Sequence, residues 1–141
     1  MIIIAHRGNT HGPKPELENK PEYVLEAISK GFDVEVDVWH RSGELWLGHD
    51  KPMYKMGIEM LRKSNNIWCH AKTVEALDAL LEEELNCFWH ENDKYTLTSH
   101  GFIWAYPGQS LTRNSIAVCT DDYKPTTECA GYCSDYVGIT Q

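Results

Sequence analysis

The run from Phe32 to Val38 is apolar and β-branched, yet it carries Glu35 and Asp37 at alternate positions. Period-two alternation puts both carboxylates on one face of a strand. Two anions held side by side repel unless something positive lies between them, and a hard divalent cation is the usual answer. His6 closes the apolar run Met1 to Ala5, and His49 follows the run Glu44 to Gly48. Neighbouring strands would carry both imidazoles to the rim that holds the carboxylates. The chain is thereby constrained to a sheet whose strand ends converge on one polar site.

At 141 residues the chain makes a single domain over 1–141 with a real hydrophobic core. An eight-stranded α/β barrel takes about 250 residues, and small ones about 200. Strands must be missing, or most outer helices must be loops. Residues 2–6 read as a buried parallel strand, and 9–18 as a loop interrupted by Gly12, Pro13 and Pro15. A helix is predicted from about Lys20 to Lys30, with an Asn19-x-x-Glu22 capping box, Pro21 in its first turn and Gly31 ending it. Strands follow at 32–38 and 44–49, joined by a hairpin turn at Arg41-Ser42-Gly43. A short helix is read at Ile58–Lys63 and a strand at 66–72, after which Thr73 caps a helix running to about Glu84. Strands are read at 86–90, 102–106, 116–120 and 132–137, with little helical periodicity between them. Alternating strands and helices imply a mostly parallel sheet. Chemistry-bearing residues at strand C-terminal ends favour a barrel over a doubly wound sheet, and no glycine-rich dinucleotide fingerprint follows the first strand. The fold expected is α/β: a reduced TIM-like barrel with several outer helices replaced by loops.

A net charge of −8 argues against nucleic acid or an anionic membrane surface as partner. No stretch approaches the roughly 20 apolar residues of a membrane helix. Five cysteines with no Cys-x-x-Cys, and no secretory leader before Met1-Ile2-Ile3-Ile4, point to reduced thiols in a cytoplasm. A barrel stripped of outer helices leaves apolar faces on its later strands. Trp89, Phe102, Ile103, Trp104 and Tyr106 are concentrated there, which predicts a homodimer that covers them.

Specific segments support a family resemblance. Ile3-Ile4-Ala5-His6-Arg7-Gly8, Glu18-Asn19, Gly31-Phe32-Asp33, Glu35-Val36-Asp37-Val38, Ser42-Gly43 and Gly48-His49-Asp50 together resemble the opening of a glycerophosphodiester phosphodiesterase. Trp68-Cys69-His70-Ala71-Lys72 resembles that family's Glu-Ile-Lys strand, and Gly131 to Tyr136 its closing strand. The chain departs from the pattern at Leu17-Glu18-Asn19-Lys20, where Pro-Glu-Asn-Thr is expected. His70 stands where the family has a third acidic ligand. Only twenty residues separate His49 from His70, where the family carries a long insertion.

The resemblance implies a phospholipase C-like phosphodiesterase barrel acting on a small-molecule phosphodiester. Glu35, Asp37 and His70 would ligate one divalent cation, Mg²⁺ or Ca²⁺ in the family. The imidazole makes Mn²⁺ or Zn²⁺ more plausible here. His6 and His49 would be the acid–base pair, since imidazole moves protons near neutral pH. Arg7 and Lys72 would place positive charge where the transition state is negative. Glu18 would support the site through hydrogen bonds, and Asp50 would orient His49 or cap the following turn. From strand position alone, His90 could reach the same rim, and Trp104 could wall a substrate or, as strand aromatics more often do, pack in the core. Two alternatives remain open: a phospholipase D-like lyase that stops at a cyclic phosphate, and a barrel that binds a phosphorylated ligand without turnover.

Overall fold

The structure is a computed structural model and describes residues 1–139. In chain order it runs β1 (Ile2–His6), α1 (Pro21–Ser29), β2 (Asp33–Arg41), β3 (Glu44–Leu47), β4 (Tyr54–Lys55), α2 (Ile58–Arg62) and β5 (Ile67–Ala71). There follow α3 (Val74–Glu82), β6 (Cys87–Phe88), β7 (Tyr95–Leu97), β8 (Ile103–Ala105), β9 (Ser115–Val118) and β10 (Gly131–Ser134). All ten strands belong to one mixed sheet, ordered β4-β3-β2-β1-β10-β9-β8-β7, with β5 and β6 branching from the other side of β2.

This sheet curls into a half-barrel, and the expected TIM-like α/β barrel with outer helices is not what the chain forms. Three helices of nine, five and nine residues cannot ring a barrel. The segments 106–114 and 119–130, where crossover helices would run, carry Pro107, Gly108 and Pro125 and fold as turns and irregular loops. Antiparallel pairs also break the parallel pattern: β3 returns along β2, β4 along β3, and β7 along β8. The 44–49 segment forms the return arm of the hairpin expected at Arg41-Ser42-Gly43, with β3 spanning Glu44–Leu47. Its turn places Ser42 at φ 54° and Gly43 at φ 75°, the twist that suits a two-residue hairpin connection.

Two apolar layers sandwich the sheet. On the outer face Val34, Val36, Val38, Cys69 and Ala71 pack under Val24 and Ala27 of α1 and Ala76 and Leu80 of α3. Alternation puts the opposite set inside: Ile4, Trp68, Phe88, Trp104, Ile116 and Cys133 fill the floor of the half-barrel. Phe88 and Trp104 stack with ring centres 4.5 Å apart, and Trp68 lies 5.8 Å from Trp104. Trp104 therefore points inward, whereas Tyr95, Leu97 and Tyr106 are exposed. Where β10 meets β1, a side chain on residue 131 would sit 2.2 Å from the Ile2 carbonyl oxygen, so only glycine lets the two strands close. All five cysteines are unpaired thiols, and no helix among the described residues is long and apolar enough to cross a membrane.

Candidate metal centre

Strand register assembles the site. His6 on β1 is level with Glu35 on β2, and Asp37 is level with His70 on β5. Parallel neighbours in register point to the same face, so His6, Glu35, Asp37 and His70 meet above the aromatic floor. One ligand atom each from Glu35, Asp37 and His70 lies within 4.8 Å of the others, a group that can hold a metal ion. Glu35 and Asp37 are 3% and 1% exposed. Buried carboxylate oxygens normally accept hydrogen bonds, yet Glu35 Oε1 and Asp37 Oδ1 accept none and are met only by longer charge contacts, from His6 at 3.9 Å and from His70 and Lys72 at 3.3 and 3.6 Å. Those orphaned oxygens fit a cation, and so does the imidazole between them.

The tautomer of His70 follows from its surroundings. Its Nε2 is 2.9 Å from the His90 carbonyl oxygen, which can only accept, so Nε2 carries a proton. Nδ1 then faces Asp37 Oδ1 at 3.3 Å and Glu35 Oε2 at 3.6 Å. A backbone carbonyl gripping the far nitrogen is how ligating imidazoles are commonly oriented. Without an ion, burial alone would lower the imidazole's pKa, but the Asp37 and Glu35 carboxylates facing Nδ1 outweigh it and push it up to about 9. Asp37 shows the reverse balance. Burial opposes its charge, but the facing His70 ring, the Arg7 and Lys72 cations and the Asn19 amide hold its carboxyl well below the usual range.

Polar neighbours lock these groups in place. Asn19 clamps Asp37 from both sides: its amide donates to Oδ2 at 2.9 Å, and its carbonyl accepts from the Asp37 backbone N–H at 2.9 Å. This use of Asn19 explains why the expected capping box is absent. Helix α1 begins at Pro21 with no side-chain cap, whereas Thr73 does cap α3, accepting from Ala76 N–H at 3.1 Å. Lys72 Nζ stands 3.6 Å from Asp37 Oδ1. Arg7 reaches Asp37 Oδ2 at 3.2 Å through Nε and Glu18 Oε1 at 3.1 Å through a terminal nitrogen. Its backbone has φ 56°, a left-handed conformation uncommon for arginine that turns the chain sharply into Gly8. Glu18 also accepts from Asn9 at 3.0 Å.

The two expected acid–base residues flank this cluster. His6 Nε2 is 3.9 Å from Glu35 Oε1, while its Nδ1 lies 2.9 Å from Asp135 Oδ1. Burial works against the imidazolium, but the Asp135 hydrogen bond and the Glu35 charge overcome it and raise the His6 pKa. His49 arrives on the hairpin return, where the Gly48 N–H donates to the Asp37 carbonyl, and its side chain is 44% exposed. It borders a cleft of 230 Å³ lined by Arg7, Glu18, Asn19, Lys51 and Met53. Glu35, Asp37 and His70 line neither this cleft nor the larger hollows beside α1 and beside the loops after β8 and β9. Asp50 is 93% exposed and 3.7 Å from His49, at the edge of the group. His90 contributes through its carbonyl, its own ring being held by Asp93 at 3.0 Å. Trp104, a candidate substrate wall, is 4% exposed and forms the floor beneath the site instead.

Three residues of this network, Asn9, Asn19 and Asp135, were not among the expected site groups. Asn19 directly follows Glu18. Asp135 follows β10, whose Ser134 is level with Ala5, and so stands beside His6. Asn9 bridges the two halves, donating to both Glu18 and Asp135. Set against known protein families, characterised proteins and solved structures, the chain has no match in any of the three.

Proposed function

We propose that this protein is a metal-dependent phosphodiester hydrolase, with chemistry of the glycerophosphodiester phosphodiesterase kind built on a half-barrel. One observation carries the reading. Two buried carboxylate oxygens that accept no hydrogen bond face an imidazole nitrogen, and a carboxylate-supported histidine stands beside them. Glu35, Asp37 and His70 would hold one divalent cation. Their mixed oxygen and nitrogen set suits Mn²⁺ or Zn²⁺ as well as Mg²⁺. When bound, such an ion neutralises charge on phosphate oxygens and acidifies an attacking hydroxyl.

The chain's own residues do the rest. His6 takes the proton of the attacking hydroxyl at Nε2, and Asp135, on its Nδ1, steadies the imidazolium that forms. A bond from that oxygen to phosphorus forms as the bond to the leaving alcohol's oxygen breaks. Lys72 adds fixed positive charge beside Asp37, where a phosphate must dock against a chain of net charge −8. His49 stands on the Asp37 side, reached through Arg7, and so serves the other end of the scissile bond.

The test is release of nitrophenolate from bis(p-nitrophenyl) phosphate with and without chelator, His6→Ala being assayed alongside. Turnover that depends on added divalent ion and falls roughly 10²–10⁴-fold in His6→Ala supports the reading. Activity indifferent to His6 would sink it. With a substrate that bears a neighbouring hydroxyl, an open monoester product marks the hydrolase and a persistent cyclic phosphate marks the lyase.

A further inference from the structure

The two histidines are held at Nδ1 by partners of opposite charge. Asp135 accepts from His6 Nδ1 at 2.9 Å. Arg7 meets His49 Nδ1 with a terminal guanidinium nitrogen at 3.1 Å. A guanidinium has donors only and stays protonated, so His49 Nδ1 must present its lone pair. The proton of a neutral His49 then sits on Nε2.

Arg7 cannot easily turn away from this role. Two carboxylates, Asp37 at Nε and Glu18 at a terminal nitrogen, pin the other parts of its planar fork. Its backbone is fixed as well: the Arg7 N–H donates to the Glu35 carbonyl, and the Arg7 carbonyl accepts from Asn19 N–H. These commitments leave it little freedom to swing onto a substrate phosphate.

We infer that Arg7 is a positioning residue that locks His49 as a neutral Nε2–H hydrogen-bond donor, so that His6 alone moves a proton while His49 steadies a substrate oxygen without releasing its own. The charged groups facing His49 are of both signs, and the one in direct contact with the ring is Arg7. On the Nε2 side the exposed Asp50 Oδ1 stands 3.7 Å away, beyond hydrogen-bond length; its charge and that of Asp37 favour the imidazolium, and those of Arg7 and Lys72 oppose it. Burial first, then the Arg7 charge, pull the His49 pKa below its ordinary 6.5.

A consequence for substrate class follows and rests on the phosphodiesterase reading. With no proton delivered from His49, the departing oxygen leaves as an anion and takes its proton from water. The site then favours diesters of acidic alcohols, such as phenols and enols, over those of simple alkyl alcohols.

Nitrogen-15 NMR of the imidazole rings tests the tautomer directly, with His49→Asn identifying the His49 signals. The expected result at neutral pH is a neutral ring with Nε2 protonated and Nδ1 bare. In Arg7→Met both tautomers should appear and the midpoint of titration should rise. A wild-type His49 that carries Nδ1–H, or is an imidazolium at neutral pH, overturns the inference even if Arg7→Met does not fold. The kinetic arm compares methyl 4-nitrophenyl phosphate with methyl phenyl phosphate. Positioned proton donation is worth about 10²–10⁴-fold, so its absence should leave the phenyl ester slower by about 100-fold. Near-equal rates would restore His49 as a proton donor. The expected tautomer with no turnover of either ester would overturn the phosphodiesterase reading and the substrate class while leaving the role of Arg7 intact.

Discussion

Residues 1–72 and residues 86–139 build the two sides of one half-barrel by different means. The first side has β1, β2 and β5, of five, nine and five residues, and it supplies Glu35, Asp37, His70, His6, Arg7, Asn19 and Lys72. Strands of the second side have two to four residues and supply mostly volume: Phe88, Trp104, Ile116 and Cys133 under the site. Its polar contributions are few, chiefly the Asp135 carboxylate and the His90 carbonyl. The contrast teaches what each task demands. Holding three ligand atoms within 4.8 Å requires a stiff strand paired on both sides, as β2 is by β1 and β5. Filling a floor requires only large apolar groups in register, and short strands do that.

The sharpest way to break this division is Asp37→Asn, which keeps the shape on the first side and removes a charge. Loss of an outer-shell partner alone costs about 10–100-fold in metal affinity, so loss of this ligand should cost more than about 100-fold. Calorimetric titration of Mn²⁺ and Mg²⁺ checks it, and equal binding by both proteins would remove Asp37 from the site. On the second side, Trp104→Ala should cost about 3–5 kcal/mol of stability by opening a cavity under the site. Denaturant unfolding measures that. A mild effect would mean that the floor is dispensable.

The next prediction concerns the ion-free protein. The His70 pKa is raised from 6.5 to about 9 in the folded state, so its contribution is fully present below 6.5 and is lost as pH rises through about 9. That loss amounts to up to about 3 kcal/mol. Melting temperatures of chelator-treated protein should therefore fall across this window, whereas affinity for a divalent ion should rise, because the Nδ1 proton must leave first. The smallest effect expected is from Asp135→Asn, the one charge the second side lends to the chemistry. Turnover should drop by about 10²-fold while metal binding stays as in the wild type, since supporting partners of this kind contribute about 10–100-fold. Unchanged turnover would mean that the second side is only packing.

Much of the first side was legible in the sequence. Alternation in Phe32–Val38 placed Glu35 and Asp37 on one face, and strand-end positions brought His6 and His70 to them, because period two is a local property of the backbone. On the second side the strands read at 86–90, 102–106, 116–120 and 132–137 correspond to β6, β8, β9 and β10, while β7 and the role of Asp135 were not legible. Strands β6 and β7 there have two and three residues, and β4 on the first side has two, which is too few to show a period. Asn19 read as a helix cap, since the same amide can serve a helix end or a carboxylate across the fold, and nothing local says which. Trp104 read as a substrate wall or as core, because its residue type suits both.

The sequence by itself determined which residues could share a face, where helices begin and end, and that carboxylates and imidazoles would crowd one rim. Those follow from local periodicity and turn chemistry, which act over a few residues. Only the tertiary structure decided that the sheet is a mixed half-barrel. It also decided that Asp135 backs His6, and that Arg7 spans Asp37, Glu18 and His49. Each of these depends on pairing between distant strands, and hydrogen bonds between residues up to 129 positions apart leave no trace in local pattern.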